Sequence, residues 1–337
     1  MLTHGYDNMR PPARVVILGA RGFISSHLQR WCLDKGVPFR AIGSEEINLT
    51  DSASAPRLAG LLREDDAIVM TSTLTPEHGR DYRVFMANVR MAETVCLALD
   101  RARCAHFVYL SSDAVYDAQK TPLDEDSTRE PTDLYALAHV AREMILGSEL
   151  ERRGIPLCVL RLTNLYGSGD THNAYGPNRF VRTALNEGRI EIFGGGEERR
   201  SHVSVGDAVD LIGCCLRRRS AGTLNVAVRH AVSFKTVAEE VARLVGHPVQ
   251  IKHVQRTVKP IHKPYKPTQV FRFLYNLGRP IGPIVHRTFL NTAIFKAFPG
   301  FAFTPLDTGL ASFIAAERAT SRVEHAGNAT ETGALSR

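Results

Sequence analysis

Short apolar runs alternate with amphipathic stretches through the first half of the chain. The apolar runs predict strands over residues 15–18, 37–42, 67–71, 106–110 and 157–160. The stretches between them carry apolar side chains at helical spacing and predict helices over residues 23–35, 53–63, 82–101 and 134–153. Apolar strands that alternate with helices are typical of a parallel sheet that is covered on both faces. The pattern therefore predicts an α/β fold.

The second half of the chain is less regular. Apolar spacing predicts helices over residues 177–187, 207–216, 234–244 and 306–317, and Ser233 is placed to cap the third of them. A short apolar run over residues 223–226 predicts a strand that returns to the main sheet. The remaining residues are richer in glycine, proline and charge, so we expect this half to supply loops and a second, smaller unit.

A glycine turn joins the first predicted strand to the first predicted helix. Gly19 permits a tight turn, and Gly22 lets a pyrophosphate approach the backbone at the N-terminus of the helix. Ser25 stands where a third glycine is usual, and serine is small enough for close packing of helix on strand. The turn therefore predicts a phosphate-binding crossover, although an ordinary βα turn is the alternative that glycines alone leave open.

The end of the second strand bears on the choice of cofactor. An acidic residue at this place binds the adenosine ribose, whereas a basic residue accommodates a 2′-phosphate. Ser44 is followed by two glutamates, which favour NAD, but Arg21 and Arg40 leave NADP open. Asp51 is placed either to meet the adenine amino group or to cap the next helix, and the sequence does not separate these roles.

Composition narrows the class of protein. A chain of 337 residues, 44% of them apolar, is long enough for a large core and two domains. The net charge of +7 favours an anionic ligand but falls short of what nucleic-acid binding needs. The six cysteines have no paired metal spacing, which indicates reduced core residues and no metal site. The sequence has neither a signal-like N-terminus nor an apolar run of about 18 residues, so we expect a cytoplasmic protein without a transmembrane segment.

Candidate chemistry follows the fourth predicted strand. Ser111, Ser112 and Asp113 come directly after its carboxyl end, where open α/β sheets bind ligands. Tyr135 and His139 are four residues apart near the start of the next helix and therefore share one helical face. A serine that orients a substrate oxygen and a tyrosine that gives or takes its proton form a proton-transfer pair suited to hydride chemistry.

These segments, in this order and at this spacing, resemble the extended short-chain dehydrogenase/reductase family, which contains the nucleotide-sugar epimerases, dehydratases and reductases. The resemblance covers about residues 14–244. The motifs that carry it are Gly19-x-x-Gly22-Phe-Ile, Asn88, the Ser-Ser-Asp-Ala-Val-Tyr segment ending at Tyr116, Tyr135 with its four-residue spacing, Arg161-x-x-Asn164-x-Tyr166-Gly167, and Arg200-x-His202-Val203-x-Val205-x-Asp207.

The resemblance implies a Rossmann doubly wound parallel sheet with a smaller C-terminal substrate-binding domain. It also implies that Ser112 is the catalytic serine, Tyr135 the acid/base and His139 the residue that holds the nicotinamide ribose. The implied cofactor is NAD, the implied substrate a nucleotide-sugar, and the implied assembly a homodimer through the helices over residues 82–101 and 134–153. The implied cofactor contacts are Gly19, Arg21, Gly22, Phe23, Ile24, Ser44, Asp51, Thr71, Asn88, Ser111, Tyr135, His139, Leu162 and Asn164.

The substrate site is expected in the second half of the chain. The resemblance implies that Arg200 grips a substrate diphosphate, and arginine's planar fork suits that task. His172, Asn173 and Arg179 lie in or beside a glycine-rich loop and are candidates to meet a sugar or a phosphate, although loop and helix-start chemistry explains each of them as well. The predicted substrate contacts are Asp113, Asn164, His172, Asn173, Arg179 and Arg200.

Two departures from the family pattern narrow the reaction. The family has lysine at the position of His139, and a neutral histidine would activate Tyr135 less than a fixed positive charge does. An inactive nucleotide-binding relative, acting as a sensor or scaffold, is therefore the alternative to an active enzyme. The family's 4,6-dehydratases have Asp-Glu where this chain has Asp113-Ala114, so dehydration lacks its base. Epimerisation and keto-sugar reduction remain.

The domain boundaries follow from these assignments. We predict a NAD(P)-binding domain over residues 13–170 with a returning segment over 201–230, and a substrate-binding domain over 171–200 and 231–318. Residues 1–12 and 319–337 are expected to be disordered tails. The basic and apolar stretch over 252–303 either caps the substrate domain or contacts an anionic membrane surface or a polyisoprenoid-linked sugar, and its lack of a long amphipathic helix favours the cap.

Overall fold

A computed structural model describes residues 2–116, 121–170, 173, 176–255 and 284–334. Its helices are α1 (Phe23–Asp34), α2 (Ala55–Ala59), α3 (Tyr82–Leu99), α4 (Leu134–Arg152), α5 (Gly176–Glu187), α6 (Val205–Arg218), α7 (Phe234–Leu244), α8 (Thr292–Ala297) and α9 (Leu306–Ala334). Its strands are β1 (Thr3–His4), β2 (Arg14–Leu18), β3 (Phe39–Ile42), β4 (Asp66–Met70), β5 (His106–Ser112), β6 (Leu157–Leu162), β7 (Asn164–Tyr166), β8 (Arg189–Phe193), β9 (Arg199–Arg200), β10 (His202–Ser204), β11 (Ser220–Val226), β12 (Val232–Ser233) and β13 (Gln250–Val254). None of these helices is long and apolar enough to cross a membrane.

A seven-stranded sheet organises the molecule, in the order β1-β11-β6-β5-β4-β2-β3. Its strands are parallel except β1, which runs antiparallel to β11. This confirms the predicted α/β class with a doubly wound parallel sheet and the predicted return of the strand over residues 223–226. The strand order reverses at β2, so the carboxyl ends of β2 and its neighbours form the edge where such sheets bind ligands.

The register of the sheet brings the predicted chemical segments to that edge. Leu18 is paired with both Ile42 and Met70, so the chain leaves β2, β3 and β4 at the same level. Ser112 is paired with Leu162 in the same way on β5 and β6. The glycine turn, the glutamates after β3 and the Ser-Ser-Asp segment therefore all lie at the edge formed by the carboxyl ends of the strands.

Apolar cores cover both faces of the sheet. The first core packs α1 and α6 on one face, around residues such as Ile17, Leu28 and Ile212. The second packs α3 and α4 on the other face, around residues such as Val16 and Val95. Burying both faces explains why the central strands are apolar without alternation, as the sequence predicts.

A third apolar cluster lies outside the sheet. It joins α5, α7 and α9 through residues that include Phe180, Val237 and Phe313, and β8 pairs with β13 beside them. Ser233 caps α7 by accepting a hydrogen bond from the amide of Thr236, as predicted. Strand β8 and most of the short strands of this half were not predicted, because runs of two to five residues carry too little periodicity to identify.

Three boundary predictions differ from the structure. Residues 1–12 were expected to be disordered, but β1 pairs with β11. Nε2 of His4 donates to the backbone oxygen of Ala297, and its Nδ1 is hydrogen-bonded to the hydroxyl of Ser220. The edge of β11 offers unpaired backbone groups there, which this segment satisfies. Helix α9 was expected to end near Glu317, but it continues to Ala334, as its alanine content favours.

The third difference concerns the segment before α9. Residues 231–318 were assigned to the substrate domain, yet Ile294 and Phe298 are buried in the first core with the sheet. Apolar side chains of α8 pack against β11 because that face of the sheet would otherwise stay exposed. Some described residues of the 252–303 stretch are thus core, but core of the sheet rather than of the substrate domain that the cap interpretation names. Residues 256–283 lie outside the described residues, so the membrane interpretation stays a prediction.

Candidate active site

The glycine turn is built for close approach of the backbone. Gly19 has φ +108°, and a Cβ atom there would stand 2.7 Å from Oγ1 of Thr71 and 2.9 Å from the amide nitrogen of Ser72. Only glycine fits this position, because both the φ value and the contact exclude a side chain. Ser25 is fully buried and its hydroxyl lies 2.6 Å from Oγ1 of Thr71, so serine does pack closely where a third glycine is usual.

The N-terminus of α1 faces the same edge of the sheet. Gly22 is its N-cap and has extended backbone, no side chain caps it, and its first turn holds no acidic residue. The N–H groups of the first turn are therefore left for an anion. Phe23 and Ile24, the first residues of the helix, are partly buried against the first core. This geometry fits the phosphate-binding crossover that the sequence predicts.

The ends of β2 and β3 carry two ion pairs. Arg21 pairs with Glu45 and its second Nη atom lies 3.4 Å from the hydroxyl of Ser44. Arg40 pairs with Glu46. Both arginines that left NADP open are thus paired with carboxylates.

Asp51 performs the capping role that the sequence had left open. Its Oδ1 atom accepts a hydrogen bond from the amide of Ala53, 3.0 Å away, at the start of a 3₁₀ turn. The alternative contact with an adenine amino group stays a prediction, because a carboxylate has a second oxygen that the cap does not use.

Ser111 and Ser112 leave β5 in different directions. The hydroxyl of Ser111 is buried and donates to Oε1 of Glu143 on α4, 2.6 Å away, so it points into the helix packing. Ser112 is partly exposed and accepts from the amide of Ala114. The turn that follows it packs against the start of α4, and its hydroxyl acts to lower the pKa of Tyr135. The predicted serine–tyrosine pair is therefore brought together, although the two residues are far apart along the chain.

Helix α4 presents Tyr135 and His139 on one face. Asp133 caps the helix by accepting from the amide of Ala136, which fixes its first turn beside the end of β5. The ring of Tyr135 meets that of His139 edge-on, with centroids 4.7 Å apart. His139 is almost wholly buried, and its Nδ1 atom lies 2.8 Å from the hydroxyl of Tyr109. Its Nε2 atom is buried and has no partner among the described residues.

Burial sets the protonation of both side chains. The apolar surroundings raise the pKa of Tyr135 to about 12, against the hydrogen bond from Ser112 and the charge of Arg142, which lower it. Burial, helped by the same arginine, lowers the pKa of His139 to about 3. His139 is therefore neutral near pH 7, and Tyr135 needs a stabilised phenolate to act as a base there.

Several predicted cofactor residues are engaged within the protein, by backbone groups or by the core. Asn88 is buried and binds both the amide and the carbonyl of Leu74 with its side chain, so it fixes the loop after β4. Thr71 donates to the carbonyl of Leu18, 2.8 Å away. Leu162 is buried in the first core. Asn164 is partly buried and begins β7, two residues after β6 ends.

The predicted substrate residues are mostly paired within the chain. Asp113 pairs with Arg287, whose Nη1 atom also donates to the backbone oxygen of Asp113. Arg200 pairs with Glu198 and donates to the carbonyl of Val285.

The other substrate candidates lie on α5 or before it. Arg179 pairs with Glu191 of β8, and Oδ1 of Asn173 accepts from Arg182. His172 lies outside the described residues. The structure therefore places Asp113 beside Ser112 and Tyr135, whereas Asn173 and Arg179 contact residues of α5 and β8 instead.

Two residues at the site were missed by sequence reasoning. Arg142 lies seven residues after Tyr135, a spacing that returns to the same helical face, so its position was open to prediction. Arg287 lies 174 residues from Asp113 and carries no local signal. Both are cations beside groups for which the sequence predicts a role in the chemistry.

The described residues fit a bound dinucleotide. Gly19 leaves a space that a Cβ would fill, and α1 offers an uncapped N-terminus. Buried polar atoms without a partner among the described residues lie along the same edge, at the hydroxyl of Ser72, Nε2 of His139 and the guanidinium of Arg142. Such atoms are costly unless a ligand satisfies them.

Comparison with known proteins agrees with this geometry. Residues 15–227 match a family model described as the NAD dependent epimerase/dehydratase family. The chain is 26% identical to human dTDP-D-glucose 4,6-dehydratase over 168 residues, which are 49% of this chain and 48% of that protein. The chain thus spans about half the length of the first curated relatives it matches.

Two further likenesses cover more of the chain. ADP-L-glycero-D-manno-heptose-6-epimerase of Alkalilimnicola ehrlichii is 24% identical over 260 residues, which are 69% of this chain and 81% of the epimerase. The structure of Thermus thermophilus UDP-glucose 4-epimerase in complex with NAD is 16% identical, covers 90% of this chain and 98% of its own, and has a TM-score of 0.72. At that identity the likeness shows the fold.

Proposed function

Since the chain belongs to the NAD-dependent epimerase/dehydratase family of extended short-chain dehydrogenases/reductases, we propose that it oxidises or reduces a carbinol carbon of a nucleotide-activated sugar. In an epimerase the carbon is oxidised transiently and reduced again, whereas in a reductase the net reaction is reduction of a keto carbon to a carbinol. The observation that carries the proposal is the packing of the start of α4, with Tyr135, against the turn that follows Ser112 at the carboxyl edge of the sheet.

The two side chains divide the proton chemistry. The hydroxyl of Ser112 binds the substrate oxygen and holds it toward Tyr135. The phenolate of Tyr135 takes the hydroxyl proton as the C–H bond breaks and C=O forms, and the phenol returns the proton in the reverse step. NAD, when bound, accepts the hydride at its nicotinamide. Asn88 and Thr71 keep the loops of this edge in place.

We propose NAD as the preferred cofactor. Glu45 and Glu46 follow the end of β3, displaced by one or two positions from where an acidic side chain usually meets the adenosine ribose, and the pair of Glu45 with Arg21 leaves that arginine engaged. Arg40 is engaged by Glu46 in the same way. A 2′-phosphate would therefore lie near two carboxylates whose neighbouring guanidinium groups are already paired. This disfavours binding of NADP but does not exclude it.

The local sequence disfavours dehydration. Ala114 stands where the 4,6-dehydratases have glutamate, and the carboxylate of Asp113 is held by Arg287. No carboxylate of this segment is then placed to take a carbon-bound proton. Epimerisation and reduction need only the serine–tyrosine pair, so they are the proposed reactions.

Substitution of Tyr135 tests the proposal. Tyr135→Phe removes the proton carrier and keeps the ring, so turnover of a nucleotide-sugar panel should fall by about a hundredfold to ten-thousandfold. NAD binding, measured by calorimetry, should persist. Tyr82→Phe is the matched control, because Tyr82 is an exposed tyrosine on α3 and its substitution should change neither quantity.

Unchanged turnover in Tyr135→Phe would contradict the assigned role. Native mass spectrometry of the purified protein then separates the two proposed reactions. A dinucleotide that stays bound through purification supports an epimerase that recycles it, and an exchangeable one supports a reductase.

One observation favours the alternative of a non-catalytic nucleotide-binding protein. Residues 284–291 of this chain engage both Asp113 and Arg200, which were predicted to bind substrate. If this engagement is permanent, the protein would bind a dinucleotide and act as a sensor or scaffold. NAD binding without turnover of any sugar in the panel, by the unaltered protein, would support this alternative.

We also propose the domain division and a homodimer. The division assigns the sheet with α1–α4, α6 and α8 to the cofactor and the third cluster to the substrate. The homodimer would use α3 and α4, which pack together and expose Met86, Leu97, Leu137 and Met144. Exposed large apolar side chains concentrated on two adjacent helices support an interface there.

A further inference from the structure

Arg142 is a buried cation near the proposed acid/base. It lies on α4 two helical turns after Tyr135, with 1% of its surface exposed. Its guanidinium carbon stands 4.9 Å from the ring centroid of Tyr109. Its Nη2 atom donates to the backbone oxygen of Ser72, 2.6 Å away. The Nε and Nη1 atoms are buried and have no partner among the described residues.

No carboxylate among the described residues pairs with Arg142, because the nearby acids are engaged elsewhere. Glu143, the next residue, pairs with Arg161 at 2.7 Å and accepts from Ser111. Asp113 pairs with Arg287, and Asp133 caps α4. A buried charge without a partner costs folding free energy, so its retention calls for a function.

The contacts of the guanidinium connect it both to the glycine turn and to Tyr135. Ser72, which it binds, follows β4 and lies against Gly19 of the phosphate turn. Tyr109, on which it stacks, is hydrogen-bonded to His139, and the ring of His139 packs on that of Tyr135. The cation is therefore held between β4, β5 and α4, and Tyr109 and His139 link it to the ring of Tyr135.

The charged groups around Tyr135 leave Arg142 as the side chain that can stabilise its phenolate. Asp113 and Asp133 disfavour the phenolate, and Ser112 supports it by a hydrogen bond. His139 and Tyr109 also face the ring, but burial keeps both of them neutral near pH 7. Among the described side chains that act on Tyr135, Arg142 is the one that brings a positive charge.

We propose that Arg142 is a positioning residue for the chemistry of Tyr135, whose phenolate it stabilises from a fixed place between Tyr109 and the Ser72 peptide. In this role it supplies the positive charge that His139 cannot carry near pH 7. The inference rests on the proposed function of Tyr135 as acid/base. The pKa evidence agrees, since the charge of Arg142 opposes the burial that raises the pKa of Tyr135.

The ionisation of the residue at position 135 tests this without any substrate. 3,5-Difluorotyrosine is incorporated in place of Tyr135, because its phenol ionises at a lower pH than that of tyrosine and reports by ¹⁹F NMR. In Arg142→Met the midpoint of the titration should rise by about one pH unit, a tenfold loss of phenolate at fixed pH. Arg142→Lys keeps the charge and should stay close to the parent midpoint.

Arg152→Met is the matched control. It is the same substitution on the same helix, but Arg152 is 61% exposed and pairs with Glu149. It should leave the midpoint unchanged. Moving the charge, by combining Arg142→Met with His139→Lys, should bring the midpoint back toward the parent value, which a merely structural role would not do.

A midpoint in Arg142→Met that equals that of the parent overturns the proposal. Methionine fills a similar volume, and removing an unpaired buried charge offsets the loss of the hydrogen bond to the backbone oxygen of Ser72, so this variant should fold. Should it fail to fold, Arg142→Gln gives the same comparison: a raised midpoint supports the proposal, and a midpoint equal to that of the parent overturns it. The titration does not depend on turnover, so an active Tyr135→Phe variant refutes the proposed function, and an unmoved midpoint refutes the role of Arg142.

Discussion

At the scale of the residue, the proposed preference for NAD can be tested at one exposed ion pair, Arg21–Glu45. Arg21 follows Gly19 in the phosphate turn, and Glu45 follows the end of β3. Their side chains meet across the edge of the sheet, with Ser44 beside them. If the adenosine ribose lies here as proposed, the carboxylate would repel a 2′-phosphate, and it already engages Arg21, the cation nearest to it in the turn.

Glu45→Gln should therefore move the preference toward NADP. The substitution removes one negative charge and releases Arg21, so the ratio of the dissociation constants for NADPH and NADH should fall by about threefold to fivefold, the size of an exposed ion pair. Fluorescence titration with the two reduced cofactors measures both constants. Glu64→Gln, at an exposed pair with Arg103 away from the site, is the control, and an unchanged ratio in Glu45→Gln would count against this reading.

The site residues that the sequence could identify are those fixed by local spacing. The glycine turn, Ser112 and the Tyr135–His139 pair each lie within a few residues of a strand end or on one helical face. Their proposed roles still await experiment. Sequence reasoning missed that His139 binds Tyr109, because that partner lies 30 residues earlier on another element.

At the scale of the element, residues 284–291 connect the two parts of the molecule. The amide of Arg287 donates to the backbone oxygen of Arg199, and the backbone of Thr288 and Leu290 pairs with Leu123. Phe289 is buried against Tyr116, with ring centroids 6.4 Å apart. The segment thus ties β9 to the region after β5, and the Arg287–Asp113 pair lies at its centre.

A double-mutant cycle on Arg287 and Asp113 should reveal strong coupling. Both side chains are about 15% exposed, so removing one partner leaves the other charge poorly solvated. We expect Arg287→Met and Asp113→Asn each to destabilise the protein, and the double variant to recover about 1–3 kcal/mol of the summed loss. Urea unfolding of the parent and three variants gives the coupling energy. Strictly additive effects would mean that the pair does not hold the segment.

The elements were predictable to different degrees for physical reasons. The central strands and α1, α3, α4 and α7 combine length with clear periodicity, and they were predicted to within a few residues. The helix predicted over residues 53–63 is instead a 3₁₀ turn followed by the short α2, since Pro56 permits only a helix start there. The course of residues 284–291 follows from contacts across more than 80 positions, which no local pattern reveals.

At the scale of the whole molecule, buried histidines set the response to acid. His106, His139 and His202 are each less than 5% exposed. Burial lowers their pKa values to about 4, about 3 and about 3, whereas an unfolded chain binds these protons near pH 6.5. The unfolded state therefore binds more protons than the folded state between these values, and stability rises with pH across that window.

The free energy of unfolding should then be fully present above about pH 6.5 and fall as the pH drops toward 4. Each of the three histidines contributes up to about 1.4 kcal/mol per pH unit within the window. His106→Gln tests this pH dependence at a histidine away from the candidate active site. Glutamine can still donate to the backbone oxygen of Ser220, which His106 binds at 2.8 Å. Urea unfolding at fixed protein concentration should show a pH dependence about one third shallower than that of the parent. The exposed His230 provides the control in His230→Gln. An equal slope in His106→Gln and the parent would mean that the acid sensitivity arises from carboxylates rather than from buried imidazoles.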